Sequence, residues 1–291
     1  MKALETLEIT SPEDSSKEIQ KRAIHALEEG QVVFLPKLSF KLQPSEERFF
    51  SPTILSPKSK NISFELKHDR LGGTVCENED RAALKEMMKR YAVESKKLID
   101  TLFPHYIPFI KQGRTSFRPA EVAGRISSYR KDDTRLHIDA FPATPVKGNR
   151  ILRVFCNVNP HGAPRVWNVG EPFPVVVEKM APRVRPPLPG SSLLLKLLKI
   201  TKDYRTKYDH YMLNMHDIMK GDTEYQKNAE HTEIKFPPYS SWIVYSDQVS
   251  HAALSGQYLF EQTFYLPPEG VSRQETSPLR VLEKFLNKKL L

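Results

Sequence analysis

The stretch HIDAFPATPVKGNRILRVFCNVNP (137–160) joins a chelating triplet to the most strand-like run of the chain, and the fold is read outward from it. On an extended backbone side chains alternate with period two, so His137 and Asp139 point one way while Ile138 packs on the other side. After a turn rich in Pro and Gly, RILRVFCNVN (150–159) has the β-branched and aromatic content of a buried strand. A third candidate ligand, His251, follows in WIVYSDQVSHAALSGQYLFEQTFYLP (242–267). Two imidazoles and one carboxylate leave one face of a metal open, which is the ligand set of non-haem Fe(II) oxygenases. With nine histidines in the chain, a His-x-Asp triplet alone is a common coincidence. His231 and Glu233 repeat the spacing, but EHTEIKFPPYS sets them between polar residues and a Pro pair, as at a strand edge or loop.

Composition narrows the classes. A chain of 291 residues buries a sizeable core, and we read it as one domain, with 23 Pro against 12 Gly stiffening connections around a β-rich centre. Cys76 and Cys156 form neither a disulfide framework nor a CxxC metal site, as suits a reducing cytoplasm. The acidic start MKALETLEITSPEDSSKE lacks the apolar run of a secretory signal, and no stretch is apolar enough to span a bilayer. A formal charge of +9 calls for an anionic partner. Nucleic acid is not expected, because zinc-finger spacing, an RNA-binding aromatic signature and a long Lys/Arg tract are all missing. Basic residues concentrate in KLLKITKDYRTK (196–207) and RVLEKFLNKKLL (280–291), both with aliphatic residues at helical spacing. The first reads as a helix packed on its own protein. The second, at the terminus with less to pack against, is equally a candidate for lying on an anionic membrane.

The element pattern is helices first, strands later. A capped helix over 11–30 ending at Gly30 precedes the strand QVVFLP, and the longest helical pattern spans 77–104. From residue 117 short β-like runs dominate: RISSY, RILRVFCNVN, FPVVVE, SSWIVYS and YLFEQTFYL, interrupted by a helical insertion within about 191–228. The expected class is α+β: largely helical support over 1–116, a β-barrel or sandwich core over 117–267, and a basic amphipathic segment over 268–291.

The order of His-x-Asp, strand, Trp- and Pro-containing turn, then distal His before a final strand resembles the double-stranded β-helix (jelly-roll, cupin-like) of Fe(II)/2-oxoglutarate oxygenases. More narrowly, residues 137–160, PRVWNVGEPF (164–173), YDHYMLNMHDIMKGD (208–222) and SDQVSHAALSGQYLFEQTFYLP (246–267) resemble the bacterial Kdo 3-hydroxylase family, with LEEGQVVFLPKLSF (27–40) and SKNISFE (59–65) extending the likeness. The resemblance implies hydroxylation at carbon 3 of the sugar acid Kdo on lipid A precursors. Fe(II) would be held by His137, Asp139 and His251, and 2-oxoglutarate and O₂ consumed to give succinate and CO₂. It also implies a peripheral place at the inner face of the inner membrane, for which residues 280–291 are the expected contact.

The far carboxylate of 2-oxoglutarate needs a cation, best an Arg fork. Relatives in the superfamily place one about ten residues after the distal His, where this chain has Glu261. Arg153 is the expected replacement, on one strand face with Ile151 and Phe155, whereas Arg150 faces away. A surface salt bridge is the competing role for Arg153. Tyr129 and Ser127, on a strand entering the metal motif, are expected hydrogen-bond donors, with Gln262 and Thr263 beside them. Arg125, Arg165, Trp167 and Asn168 are the expected substrate contacts. Tyr208, His210 and His216 sit on the insertion, where a lid would lie, although at helical spacing such residues more often face a core. Two other readings stand beside the hydroxylase: an acidic-saccharide-binding module of cupin type without redox chemistry, and a related oxygenase acting on a protein or a free small molecule.

Overall fold

Hydrophobic alternation in the carboxy-terminal half builds one large sheet, and the amino-terminal third adds to it. The structure is a computed structural model that describes residues 2–125, 127–188 and 190–291. In chain order, β1 (Leu4–Thr6), α1 (Lys17–Glu28) and β2 (Val32–Leu35) are followed by β3 (Ile62–Glu65), β4 (Arg70–Gly72), α2 (Asn78–Leu102) and β5 (Lys111–Arg118). Then come β6 (Arg150–Asn157), β7 (Arg165–Val169), α3 (Phe173–Met180), α4 (Ser191–Leu197), α5 (Lys207–Gly221) and α6 (Thr223–Asn228). The chain closes with β8 (Thr232–Phe236), β9 (Ser240–Tyr245), β10 (His251–Ser255), β11 (Leu259–Leu266) and α7 (Pro278–Leu286).

Eight strands pair in the order β1-β2-β9-β6-β11-β5-β3-β4, antiparallel except for β1 with β2. Facing them is a smaller antiparallel sheet, β10-β7-β8. The fold is therefore mixed helix and sheet around a large antiparallel sheet. Residues 1–116 are more than helical support, because β1 to β4 and most of β5 belong to the major sheet. On the outer face of that sheet, Leu152, Val154, Ile243 and Tyr245 pack with Ala23, Ala26 and Leu27 of α1 and Leu98, Ile99 and Leu102 of α2. Between the sheets, Phe155 and Trp242 meet Trp167 and Phe236.

Two runs expected as strands fold otherwise. FPVVVE is the start of α3, because Pro172 and Pro174 open a helix and Phe173, Val176, Val177 and Met180 fall on one buried face. Within RISSY, the described residues lie in no strand, and Tyr129–Lys131 form a 3₁₀ turn; Ile126 lies outside the described residues.

The two Leu/Lys segments reverse their expected roles. In α7, Leu279 and Leu282, with Leu290 beyond it, are buried against α3 and α5. Three such side chains, each contributing roughly 1.5–3 kcal/mol on burial, outweigh the about 1 kcal/mol per basic residue that an anionic surface offers. Lys288 is also tied to the Tyr211 hydroxyl, and Arg280 to Glu283. The terminal segment is therefore a helix docked on its own domain. The first segment, by contrast, begins in α4, which buries no side chain.

Candidate metal centre and its cationic pocket

His137 and His251 face each other as a hydrogen-bonded backbone pair, His137 N–H donating to the His251 carbonyl at 3.0 Å and His251 N–H to the His137 carbonyl at 2.8 Å. This bridge extends the smaller sheet by one strand position and sets the ring centroids 4.6 Å apart. Two residues on, Asp139 N–H donates to the Ser246 carbonyl, which turns the carboxylate to the same side, while Ile138 is buried with the helices behind. One potential ligand atom from each of His137, Asp139 and His251 lies within 4.8 Å of the others.

Their surroundings leave these atoms available. The Nδ1 atoms of His137 and His251 contact the carbonyls of Arg135 (2.7 Å) and Val249 (2.8 Å), so each Nε2 is left to face the centre. Burial, and then the neighbouring His251, pulls the His137 imidazole well below its ordinary pKa; burial also lowers that of His251. Both are neutral near pH 7, the form that binds a metal. Burial alone would push the Asp139 carboxyl up, but Arg153, His251 and His137 outweigh it and hold it below the usual carboxylate range. Trp167 stacks on His251 at 4.9 Å, and His216 presents an edge contact to His137 at 5.5 Å.

Beside this triad the inner face of the major sheet carries buried cations. Arg153 Nη2 is 3.0 Å from Asp139 Oδ2, and its Nη1 donates to Glu261 Oε1 at 2.7 Å. Arg118 donates to the other Glu261 oxygen from Nε at 3.1 Å and Nη2 at 2.7 Å. Glu261 thus stands where a superfamily relative has a cation and instead aligns two. Arg165 is also buried on the facing sheet, where burial and then Arg118 pull it down to about 9. Asp133 is within 4 Å of Arg118, Lys60 and Lys220. Arg118, Arg153, Arg165, Lys60 and Lys220 outnumber Asp133, Asp139 and Glu261, and Arg153 Nε, Arg165 Nε and Trp167 Nε1 are buried with no hydrogen-bond partner. Unpaired buried donors in a positive field fit a small dianion.

The sequence matches the 3-deoxy-D-manno-oct-2-ulosonic acid (Kdo) hydroxylase family over residues 11–289. The chain belongs to that family. Among solved structures it is similar to the Kdo hydroxylase KdoO, a non-haem Fe(II) α-ketoglutarate-dependent dioxygenase. The cobalt(II) complex of KdoO is 48% identical with TM-score 0.97, covering 99% of this chain and 97% of that one. Its complex with α-ketoglutarate and Fe(III) is 47% identical, TM-score 0.96, covering 100% and 98%. The complex with succinate and Fe(III) is 48% identical, TM-score 0.96, covering 99% and 97%. No curated protein matches the chain.

Set against the expected residues of a Kdo hydroxylase, the structure gathers His137, Asp139, His251, Arg153, Arg165, Trp167 and Thr263, the last directly opposite Arg153 in the β6–β11 ladder. Arg153 is buried between two carboxylates, which removes the surface salt bridge as its role. Others lie elsewhere. Gln262 points to the helix-covered face, bonded to Thr115 and the Gly113 carbonyl, as the period-two pattern requires once Glu261 and Thr263 face inward. Tyr129 is 37% exposed against Gly221, Ser127 is half-buried outside any strand, and Arg125 donates to the Glu121 carbonyl. Asn168 alternates with Trp167 and so turns outward from the inter-sheet space. On the insertion, Tyr208 is core and His210 contacts the Arg185 carbonyl, but His216 reaches the triad.

Arg118, Asp133, Lys220 and Glu261's pairing were not anticipated. Arg118 ends a strand on the same face as Ser116, and that parity was its one available signal. A cavity of about 850 Å³ between α3, α7 and the amino terminus includes no triad residue. Converging chemistry, rather than volume, marks the site.

Proposed function

We propose that the protein hydroxylates carbon 3 of a Kdo residue carried on a lipid A precursor, using Fe(II), 2-oxoglutarate and O₂, at an anionic membrane surface. The observation that carries this reading is the triad with both Nδ1 atoms engaged and Arg153 at 3.0 Å from Asp139, in a chain of the Kdo hydroxylase family. The facing sheets read as a double-stranded β-helix with the triad at one end, joined across the His137–His251 bridge.

In this reading His137, Asp139 and His251 hold Fe(II). When bound, the metal with its co-substrate supplies the oxidation of an unactivated C–H bond, coupled to conversion of 2-oxoglutarate and O₂ into succinate and CO₂. The protein's own contribution is positional. The His137–His251 backbone pair and the two Nδ1 contacts fix both imidazole planes. Arg153, Arg118 and Arg165 receive the far carboxylate, with Glu261 keeping the first two guanidinium groups in register. Thr263 supplies a hydroxyl beside Arg153. Trp167 against His251 closes one wall and keeps bulk water away from the reacting centre, and His216 borders the other. Neutral imidazoles and an ionised Asp139 near pH 7 mean that metal binding displaces no proton from the ligands.

The deciding experiment is incubation with a Kdo-bearing lipid A precursor, Fe(II), 2-oxoglutarate and ascorbate in air, followed by fragment mass spectrometry. We expect one added oxygen atom on the sugar and one succinate per product. Succinate formation with no oxygen transferred to Kdo would overturn the substrate assignment, and no metal-dependent succinate formation would overturn the reaction class.

A further inference from the structure

Of the fifteen large hydrophobic side chains exposed among the described residues, seven fall between Leu188 and Tyr204. Leu188, Leu193, Leu194, Leu197, Leu198 and Ile200 are each between 55% and 77% exposed. An aliphatic cluster of this kind, rimmed by charge, marks an interaction surface. The rim is one-signed. From 185 to 207 the sequence places Arg185, Lys196, Lys199, Lys202, Arg205 and Lys207 against a single acid, Asp203. That acid is already engaged by Lys147 and Lys196.

The segment is also clipped beside the metal centre. Lys202 N–H donates to the Ala143 carbonyl at 2.9 Å and Arg205 Nη2 to the Pro142 carbonyl at 2.7 Å. The Ser192 hydroxyl ties the start of α4 to the Arg205 backbone. The loop receiving these bonds follows Asp139 directly, and its Phe141 ring lies 5.7 Å from the Arg153 guanidinium carbon. The apolar cluster is therefore coupled through a few residues to the wall of the site.

We propose that residues 185–188 and 190–207 form the surface that seats the protein on an anionic lipid bilayer, the leucines entering the headgroup–acyl boundary while the cations meet lipid phosphates. A second copy of the chain would bring like-charged rims together, whereas an anionic bilayer satisfies both the apolar and the cationic character. That the bilayer carries the acceptor rests on the reaction proposed above. The segment would then hold the mouth of the site at the depth where a lipid-linked sugar acid lies.

The test is flotation of the full-length protein with vesicles of equal parts phosphatidylglycerol and phosphatidylethanolamine, against pure phosphatidylcholine. Wild type should float with the anionic vesicles, less so as salt rises. Combining Leu193→Ser, Leu194→Ser, Leu197→Ser and Leu198→Ser should lower partitioning by about tenfold or more, and Lys199→Gln with Lys202→Gln should weaken its salt sensitivity. Because α4 buries no side chain, both variants should keep wild-type succinate formation. Equal partitioning of wild type and the leucine variant would overturn the proposal. So would a wild-type dimer that the leucine variant dissociates while neither binds vesicles. Flotation needs no turnover, so failure of the docking surface and failure of the hydroxylation reading are separate results.

Discussion

Arg150 and Arg153 stand three residues apart on β6, both buried, and their surroundings differ in charge balance. Arg150, on the helix-covered side, donates to Asp247 at 2.8 Å and Gln248 at 2.6 Å and lies 3.7 Å over the Tyr245 ring. One cation meets one anion there, with Arg150 Nη1 and Asp247 Oδ1 left without hydrogen-bond partners. Arg153, on the inner side, shares Glu261 with Arg118 and touches Asp139, which faces the triad centre. There the cations exceed the anions. A buried Arg alone therefore says little about function; an unbalanced group of them beside converging metal-ligand atoms marks a place for an anion.

The contrast is broken most severely at the ligands themselves. His137→Ala, Asp139→Ala and His251→Ala should each reduce Kdo oxygenation to background while the unfolding transition stays close to wild type, since these side chains face the open centre more than the core. Activity assays with saturating Fe(II) and 2-oxoglutarate, paired with thermal melts, check this. Near-normal turnover in all three variants would remove the facial-triad reading.

On the closed side the expected loss is stability. Arg150→Ala leaves Asp247 buried without its partner, which costs about 3–5 kcal/mol, read from urea unfolding. The fraction that folds should keep the wild-type 2-oxoglutarate requirement. On the open side the order reverses: Arg153→Ala should raise the 2-oxoglutarate KM by roughly 10- to 100-fold, the worth of one or two charge-assisted hydrogen bonds, with little change in Fe(II) affinity. Arg153→Lys should fall between, keeping charge without the fork. A 2-oxoglutarate KM unchanged in Arg153→Ala would move the anion contact to Arg118 or Arg165.

Much of this was readable before the structure, and the exceptions share a physical cause. Period two placed His137 with Asp139 and Arg153 with Phe155, and amphipathic spacing gave α1, α2 and α5. Local β-propensity misread FPVVVE, where flanking prolines and a four-residue apolar spacing decided for helix. Arg118 meets Glu261 across 143 positions, a pairing that no local pattern encodes. Likewise α4 and α7 have similar Leu/Lys composition, and only what packs against them separates an exposed face from a buried one.

The smallest expected effect is a difference in sign between the two sides when acid is added. Burial pushes the Glu261 carboxyl up, but Arg153 and Arg118 outweigh it and hold it below the ordinary value. Its stabilising contribution is therefore present above the unfolded-state pKa of about 4.3 and is lost as pH falls through the depressed folded value. Asp247 is the opposite case: burial pushes it up further than Arg150 pulls it down, and its Oδ1 has no partner. Its contribution is fully present below about 3.9 and is lost as pH rises through the raised folded value. Urea midpoints across the acid range should therefore fall less steeply on acidification in Glu261→Gln than in wild type, and more steeply in Asp247→Asn, because the latter removes a term that opposes acid unfolding. The slopes, not the absolute midpoints, carry the comparison, since both substitutions also remove an ion-pair partner. Slopes that shifted in the same direction would mean that the two carboxylates are balanced alike, and that charge balance does not separate the two sides of β6.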